Sequence, residues 1–335
     1  MKLLVKIAIA VVLLLALYDA RAQRREVVAF YNVENLFDTI NDPTRDDEQM
    51  LPLSDLEWDS AKYWRKVGQV AELIERMGAP AIVGLAEVEN RAVVEDVVHH
   101  EALRDKGYEV CHFDSPDRRG VDVALIFRKG AFRLDRALPI VAKIESRTRD
   151  LLLVEGWLHG EPFSIIVVHW PSRIGGERFT EPLRMECARQ TRAIVDSLLR
   201  SDLSRGVIVM GDMNDNPKDR SIREVFGAKP LPSKAEKLEK RALYNPMVRV
   251  HSDRRGTTFY RGKWNMYDNI IVSGGVRLAE DSAQNTKRQR FSGCGYIFRD
   301  SALVDRRLRP MPTYRGTEYV GGVSDHLPIY IVVEY

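Results

Sequence analysis

Cysteine is scarce in this chain, three in 335 residues, at Cys111, Cys187 and Cys294. Two of them could pair in an oxidising compartment, but an odd count at wide spacing argues against a disulfide framework or a cysteine-based metal site. The three thiols are therefore expected to be structural. Histidine numbers only seven, and no histidine or cysteine pair has the spacing of a zinc motif. Net charge is also slight, +3 over the whole chain, so overall charge neither favours nor excludes a polyanionic partner. Internal repeats and low-complexity tracts are absent. With 44% hydrophobic and 30% charged residues, long disordered tracts are not expected, and the length suits one large core or two small ones.

Long apolar runs are missing beyond the N-terminus. There, Lys2 and Lys6 precede a run from Ile7 to Tyr18, followed by the small-x-small triplet Ala20-Arg21-Ala22. The run falls short of the roughly 20 residues that cross a bilayer. The pattern predicts a secretory leader over residues 1–22, cut before Gln23. An uncleaved anchor is the alternative. The mature chain, residues 23–335, would be exported, periplasmic or secreted, with no membrane span, and is expected to be a monomer. It would carry 48 basic and 47 acidic residues, a net charge of +1.

Short apolar runs alternate with helical patterns. Helices are expected over Lys62–Met77, Arg91–Leu103 and Leu183–Leu199. Strands are expected at Val27–Tyr31, Ala81–Leu85, Tyr108–Phe113, Val121–Arg128, Phe132–Ile140, Leu151–Leu158, Phe163–Trp170, Val207–Met210, Thr257–Tyr260, Tyr267–Val272 and Leu327–Val333. Many strands with a few long helices predict a layered α+β domain, sheets inside and helices outside. Lys229–Asn245 and Ser282–Val323 read as irregular surface excursions.

Polar residues recur where apolar strands end. Asn32 and Glu34 follow Phe30-Tyr31, Glu87 follows Ile82–Ala86, His169 follows Ile165–Val168, and Asp212 and Asn214 follow Val207–Gly211. Asp325-His326 precede the last strand. If the strands are neighbours, these ends converge on one rim. The oxygen donors Glu87, Asp212, Asp325 and Asn32 suit a hard cation such as Mg²⁺, Mn²⁺ or Ca²⁺. Carboxylates and histidines around such a cation suit phosphoester cleavage. Singly, each piece has an ordinary reading: Asp212–Asn214 as a turn, Asp325-His326 as a loop pair, His169 as a sheet-end histidine, Glu87 with Asn90 as a helix cap.

Together, the ordered motifs Tyr31–Phe37, Leu85–Asn90, Arg119–Ala124, His169–Arg173, Gly211–Asp215 and Ser324–Pro328 resemble the endonuclease/exonuclease/phosphatase superfamily, exported bacterial members included. The resemblance covers about Val27 to Tyr335 and implies a DNase I-like four-layer α/β sandwich, two packed central sheets flanked by helices. It implies Glu87 as principal metal ligand, Asn32 near both the metal and the phosphate, Glu34 as an acidic second ligand, and Asp325 as a metal-side or orienting carboxylate. It implies Asp212 as the group that orients or deprotonates water, and Asn214 as holder of water and a phosphate oxygen. His326, paired with Asp268, would sit on the scissile phosphate, and His169 would assist the leaving group. Arg119 falls where relatives place a phosphate contact, while Arg173 and Asp122 depart from the usual pattern. Arg173 is read as an extra phosphate contact, and Asp122 either as a further site carboxylate or as a salt-bridge partner.

Substrate class stays open at this level. Lys287–Arg315 holds eight basic residues against Asp300 and Asp305, interleaved with Phe291, Tyr296, Phe298 and Tyr314. Arginines among aromatics suit phosphates and bases, though a solvated basic loop has the same composition. The expectation is a nuclease acting on DNA or also RNA, with a lipid-headgroup or small-metabolite phosphoesterase as the alternative. A catalytically silent binding protein is disfavoured by the intact Glu87, Asp212, Asn214 and His326 set.

Overall fold

The computed structural model describes residues 25–145, 147–232, 238–279 and 295–335. The expected leader over 1–22, Cys294 and the basic residues 287–290 lie outside them. Two seven-stranded sheets form the centre. The first contains β1 (Arg25–Leu36), β2 (Ile82–Val88), β3 (Tyr108–His112), β4 (Asp122–Arg128), β14 (Leu278–Ala279), β15 (Gly295–Ile297) and β18 (Ile329–Glu334). The second contains β5 (Phe132–Ile140), β6 (Leu151–Leu158), β7 (Glu161–His169), β8 (Gly206–Asp212), β9 (Ala228–Pro230), β10 (Leu243–Asn245) and β13 (Asp268–Ser273). Two hairpins stand apart, β11–β12 (Thr258–Tyr260 and Lys263–Asn265) and β16–β17 (Tyr314–Arg315 and Glu318–Tyr319). The long helices are α1 (Ser60–Arg76), α2 (Arg91–His99) and α3 (Glu177–Ser201).

Period-2 alternation builds the layers. Val28 and Phe30 of β1 face inward with Ile82, Leu125 and Phe127, against Val154, Ile165, Val167, Ile208 and Met210 of the other sheet. The intervening Ala29 and Tyr31 face outward, with Val83 and Leu85, onto Val67, Val70 and Ile74 of α1 and Val94 and Val97 of α2. Ile166, Val168, Val207 and Val209 face the other way, onto Cys187, Ala188, Val195 and Leu198 of α3. The central strands read as unbroken apolar runs because both of their faces are covered. The result is the expected four-layer sandwich, helices, sheet, sheet, helix. Cys111 and Cys187 are buried and unpaired, and burial pushes their thiols up to about 11 and about 12.

Two parallel pairs place the functional rim. β1 and β2 are parallel and joined through α1, and β7 and β8 are parallel and joined through α3. Each is a strand–helix–strand crossover, which such a pairing requires. All four strands end on the same side, where ligands gather in open α/β sheets. β18 runs antiparallel to β1, so its start, after His326, comes to the same end. β13 runs antiparallel to β8 and sets Asp268 opposite Asp212.

Some expectations shift. α3 begins at Glu177, ahead of Leu183, and carries Pro182 inside it. The Lys229–Asn245 excursion contributes β10, and its start extends β9, so its described parts complete the edge of the second sheet. Among the described residues, no helix is long and apolar enough to cross a membrane.

Candidate active site

Backbone irregularity aims the side chains. Register shifts interrupt β1 between Asn32 and Leu36 and β2 between Ala86 and Val88. Bulges of this kind bend a strand and redirect a residue out of the ladder. Of the nine non-glycine residues with positive φ among the described residues, four stand at this rim: Glu34, Asn35, Glu87 and Asn214. Left-handed backbone at non-glycine residues costs energy and collects at functional sites. Gly211 supplies a second device. A Cβ there would lie 1.9 Å from the Val168 carbonyl oxygen, so only glycine lets β8 approach β7 closely enough to pair His169 with Asp212.

Asn32 is the crossbeam of the site. Its Nδ2 donates to Glu87 Oε1 at 3.2 Å and to Asp212 Oδ2 at 3.0 Å. Its Oδ1 accepts from the Glu34 N–H at 2.9 Å. Ser324 Oγ donates to the Asn32 carbonyl at 2.7 Å and accepts from the His326 N–H at 3.0 Å. One side chain thus ties β1 to the His326 turn. Glu87 Oε2 accepts from the Asn35 N–H at 3.1 Å.

Asp212 is buried at the centre, and its Oδ1 caps the Asn214 N–H at 2.9 Å. His169 Nε2 lies 3.6 Å from Asp212 Oδ2 and 3.9 Å from Glu87 Oε1. His326 Nε2 approaches the same Asp212 oxygen at 3.8 Å, while its Nδ1 meets Asp268 Oδ2 at 2.7 Å. Burial pushes the Asp212 carboxyl up to about 7, with Asp268 and Glu87 adding to it and the His326 charge opposing.

The two imidazoles are driven apart. Burial lowers His169 well below its ordinary range, and the positive charges of Arg149, Arg119 and His326 lower it further. Burial also opposes charge on His326, but Asp268, Asp325 and Asp212 outweigh it and hold that ring protonated well above its ordinary range. Near neutral pH the site therefore carries one neutral and one cationic histidine.

The donor set fits a divalent cation. Ligand atoms of Glu87, His169 and Asp212 lie within 4.8 Å of one another, and so do those of Asp212, Asp268 and His326. Two carboxylates held together by one amide form an oxygen-rich pair that a hard cation would relieve. Glu34 and Asp325 lie outside these sets but within electrostatic reach of Glu87. Burial pushes the Glu34 carboxyl up to about 7, with Lys66 opposing and Asp325 and Glu87 adding. Glu34 Oε2 accepts from the Thr313 N–H at 2.7 Å. The Asp325 side chain is 53% exposed, 4.0 Å from His326 Nε2.

The remaining expected residues lie further out. Asn214 Nδ2 donates to the Trp170 carbonyl at 3.1 Å. Arg119 is exposed at the rim, its Nη1 donating to Asn35 Oδ1 at 3.1 Å. Arg173 has its guanidinium occupied: Nε donates to the Asn214 carbonyl at 2.7 Å, Nη2 meets Asp215 at 2.7 Å and Asp219 at 2.6 Å, and Nη1 meets Glu177 at 2.8 Å. It braces the Asn214 loop. Asp122 accepts from the Ser115 N–H at 3.0 Å and lies 3.4 Å from His112 Nε2. Of its two sequence readings, this geometry is that of the salt-bridge partner.

Two basic residues escape a reading of the sequence. Lys66 of α1 is 2% exposed, donates to the Glu34 carbonyl, and meets Thr313 Oγ1 at 2.6 Å. It falls three residues after Tyr63 and four before Val70, on the apolar face of its helix, and that placement is the signal. Arg149 is buried, its Nη1 on Asp117 at 3.1 Å and its Nη2 on the Trp170 carbonyl at 3.0 Å. Nothing local in its sequence marks it.

Residues 27–335 match the model of the Endonuclease/Exonuclease/phosphatase family. The chain belongs to this family. Similar folds include truncated Caenorhabditis elegans TDP2, with a TM-score of 0.56 and 15% identity over 93% of this chain and 98% of that one. TDP2 of D. rerio, complexed with single strand DNA product, has a TM-score of 0.53 and 15% identity over 93% of this chain and 99% of that one. The mannosyl-6-phosphatase of Bacteroides thetaiotaomicron has a TM-score of 0.56 and 16% identity over 92% of this chain and 100% of that one. At such identities the likeness is one of fold. No curated protein matches the sequence.

Proposed function

We propose that this family member is an exported phosphodiesterase that requires a divalent cation, Mg²⁺ or the similar Mn²⁺ or Ca²⁺, and cleaves nucleic-acid strands by in-line attack of water. The observation that carries the reading is the pair of imidazoles, one neutral and one cationic, that face the single buried carboxylate of Asp212. Oppositely tuned groups around one reacting point divide acid and base work.

Glu87, with Asn32, Glu34 and Asp325 around it, would hold the cation, which supplies charge neutralisation at the phosphate when bound. Asp212, with its carboxyl near 7, is poised to take a proton from water at neutral pH. Asn214 fixes the water and a phosphate oxygen beside it. The His326 imidazolium, held by Asp268, stabilises charge on the phosphate oxygens. His169, kept neutral, offers its hydrogen bond to the leaving oxygen. Arg119 at the rim lies within reach of an adjacent phosphate.

A nucleic-acid substrate is supported by likeness to TDP2, one form of which holds single strand DNA product. Export is supported by the basic, apolar and small-residue order of residues 1–22. The likeness to a mannosyl-6-phosphatase favours a second reading, a small sugar phosphate as substrate.

Incubating the purified protein with supercoiled plasmid in Mg²⁺, Mn²⁺ or EDTA separates the two. Metal-dependent nicking that disappears in Asp212→Ala is the expected result. No nicking with any metal would sink the nucleic-acid reading, and a panel of sugar phosphates and headgroup diesters would replace the plasmid.

A further inference from the structure

We propose that the β11–β12 hairpin and the arginines stacked on it form a second phosphate-binding and base-stacking subsite, which holds a single-stranded nucleic acid beside the cleaved bond. The inference rests on the nucleic-acid reading above and deepens it, since a small phosphomonoester has nothing to place there.

The hairpin is joined to the site. Thr258 bridges His326 in an antiparallel pair, and the Leu327 N–H donates to the Thr257 carbonyl at 2.8 Å. Tyr260 lies two residues along β11 from Thr258, about 7 Å further out at the usual strand rise. Tyr260 is 59% exposed, which leaves its side chain accessible to a base.

Cations frame this hairpin, with Arg309 in electrostatic reach of Asp305. Arg309 stacks on Phe259 at 4.0 Å, Arg299 on Trp264 at 5.5 Å, and Arg261 on Tyr260 at 5.3 Å. Partial desolvation and the neighbouring Arg255 charge both lower the Arg299 guanidinium. Several arginines elsewhere are paired with carboxylates, as in Arg128–Glu26, Arg136–Glu155 and the Arg173 cluster. Among the described residues, no ion pair joins the side chain of Arg255, Arg261, Arg299 or Arg309 to a carboxylate. Arg255 and Arg299 repel each other, Arg299 lying over the Trp264 ring; an anion beside them relieves that repulsion, and guanidinium forks match phosphate oxygens. Exposed aromatics beside such charges stack bases with little sequence preference.

The test measures two substrates and one binding constant. Wild type, the Arg255→Gln/Arg299→Gln double variant and Arg299→Lys are assayed in Mg²⁺ with a single-stranded DNA oligonucleotide and with bis(4-nitrophenyl) phosphate, a diester with one phosphate. Binding of the fluorescein-labelled oligonucleotide is followed by anisotropy against salt in EDTA, where turnover plays no part. The double variant is expected to raise the oligonucleotide KM about tenfold at unchanged kcat. It should flatten the logarithmic salt dependence by about 0.7 per lost phosphate contact, and leave hydrolysis of the small diester as in wild type. Arg299→Lys should keep the salt slope of wild type but not its full affinity. Unchanged affinity and slope in the double variant would overturn the subsite while leaving the nuclease reading standing. A wild type that hydrolyses the small diester but neither binds nor cuts the oligonucleotide overturns both.

Discussion

His326 Nδ1 and Asp268 Oδ2 meet at 2.7 Å in a buried pair, and this contact decides the charge of the ring. Burial alone would keep the imidazole neutral; the carboxylate reverses that. Asp268→Asn preserves shape and removes the charge. Turnover near neutral pH is expected to fall about 100-fold, as for losing one oriented electrostatic partner. Because the folded ring would then titrate lower, the alkaline limb of the pH–rate profile should move to lower pH. A pH–rate profile that keeps the wild-type alkaline limb would show that Asp268 does not set the charge of His326.

Lys66 is a buried ammonium placed under three carboxylates. Burial lowers it, and Glu34, Glu87 and Asp325 pull it back up. Lys66→Met keeps the bulk but leaves the Glu34 carbonyl and Thr313 Oγ1 without this donor, at a cost of about 1–3 kcal/mol. It also leaves the carboxylates unscreened. The loss in melting temperature should therefore be larger in EDTA than in Mg²⁺, where a bound cation takes over the screening. Calorimetry in the two buffers reads the difference, and an equal loss in both would reduce Lys66 to a packing role.

Gly211 permits the close approach of β8 to β7, and Gly211→Ala tests how tightly the site depends on it. An added methyl would fall 1.9 Å from the Val168 carbonyl oxygen, a backbone atom that cannot turn aside. The strands must separate where His169 pairs with Asp212. A destabilisation of about 1–3 kcal/mol or more is expected, with turnover reduced beyond the loss of folded protein. Full activity per folded molecule would mean that the two residues tolerate a wider gap.

Much of this was legible in the sequence for one reason. Buried strands leave apolar runs, and each run that reaches the rim ends in a polar residue: Asn32, Glu87, His169, Asp212. The same alternation marks the layers. What stayed hidden depends on distant parts of the chain. Lys66 shows in the sequence only as a lysine on the apolar face of its helix, and its partner Thr313 lies far along the chain. Arg173 looks available to substrate until the Asp215 and Asp219 loop folds onto it. The cationic hairpin arises only when Arg299 and Arg309 lie across Phe259 and Trp264. Bulges at Glu34 and Glu87 are equally silent, since backbone sign leaves no compositional trace at a glutamate.

Glu89 extends the acidic rim and makes stability depend on pH. Its Oε2 accepts from the Asp38 N–H at 2.6 Å. Burial, with Asp38, Asp47 and Asp42 adding, raises its carboxyl from 4.5 to about 8. A raised carboxyl favours the neutral form in the fold. The folded chain then binds a proton that the unfolded chain has released, so stability declines as pH rises from the unfolded value toward the folded one. Glu89→Gln stays neutral throughout and keeps an oxygen for the Asp38 N–H. Melting temperatures in EDTA should coincide at pH 4.5, where both chains are neutral in the fold. The variant should become the more stable one as pH climbs from 5 to 8. A gap that stays constant across that window would place the proton elsewhere, and a gap that opens below pH 4.5 would reverse the sign of the linkage.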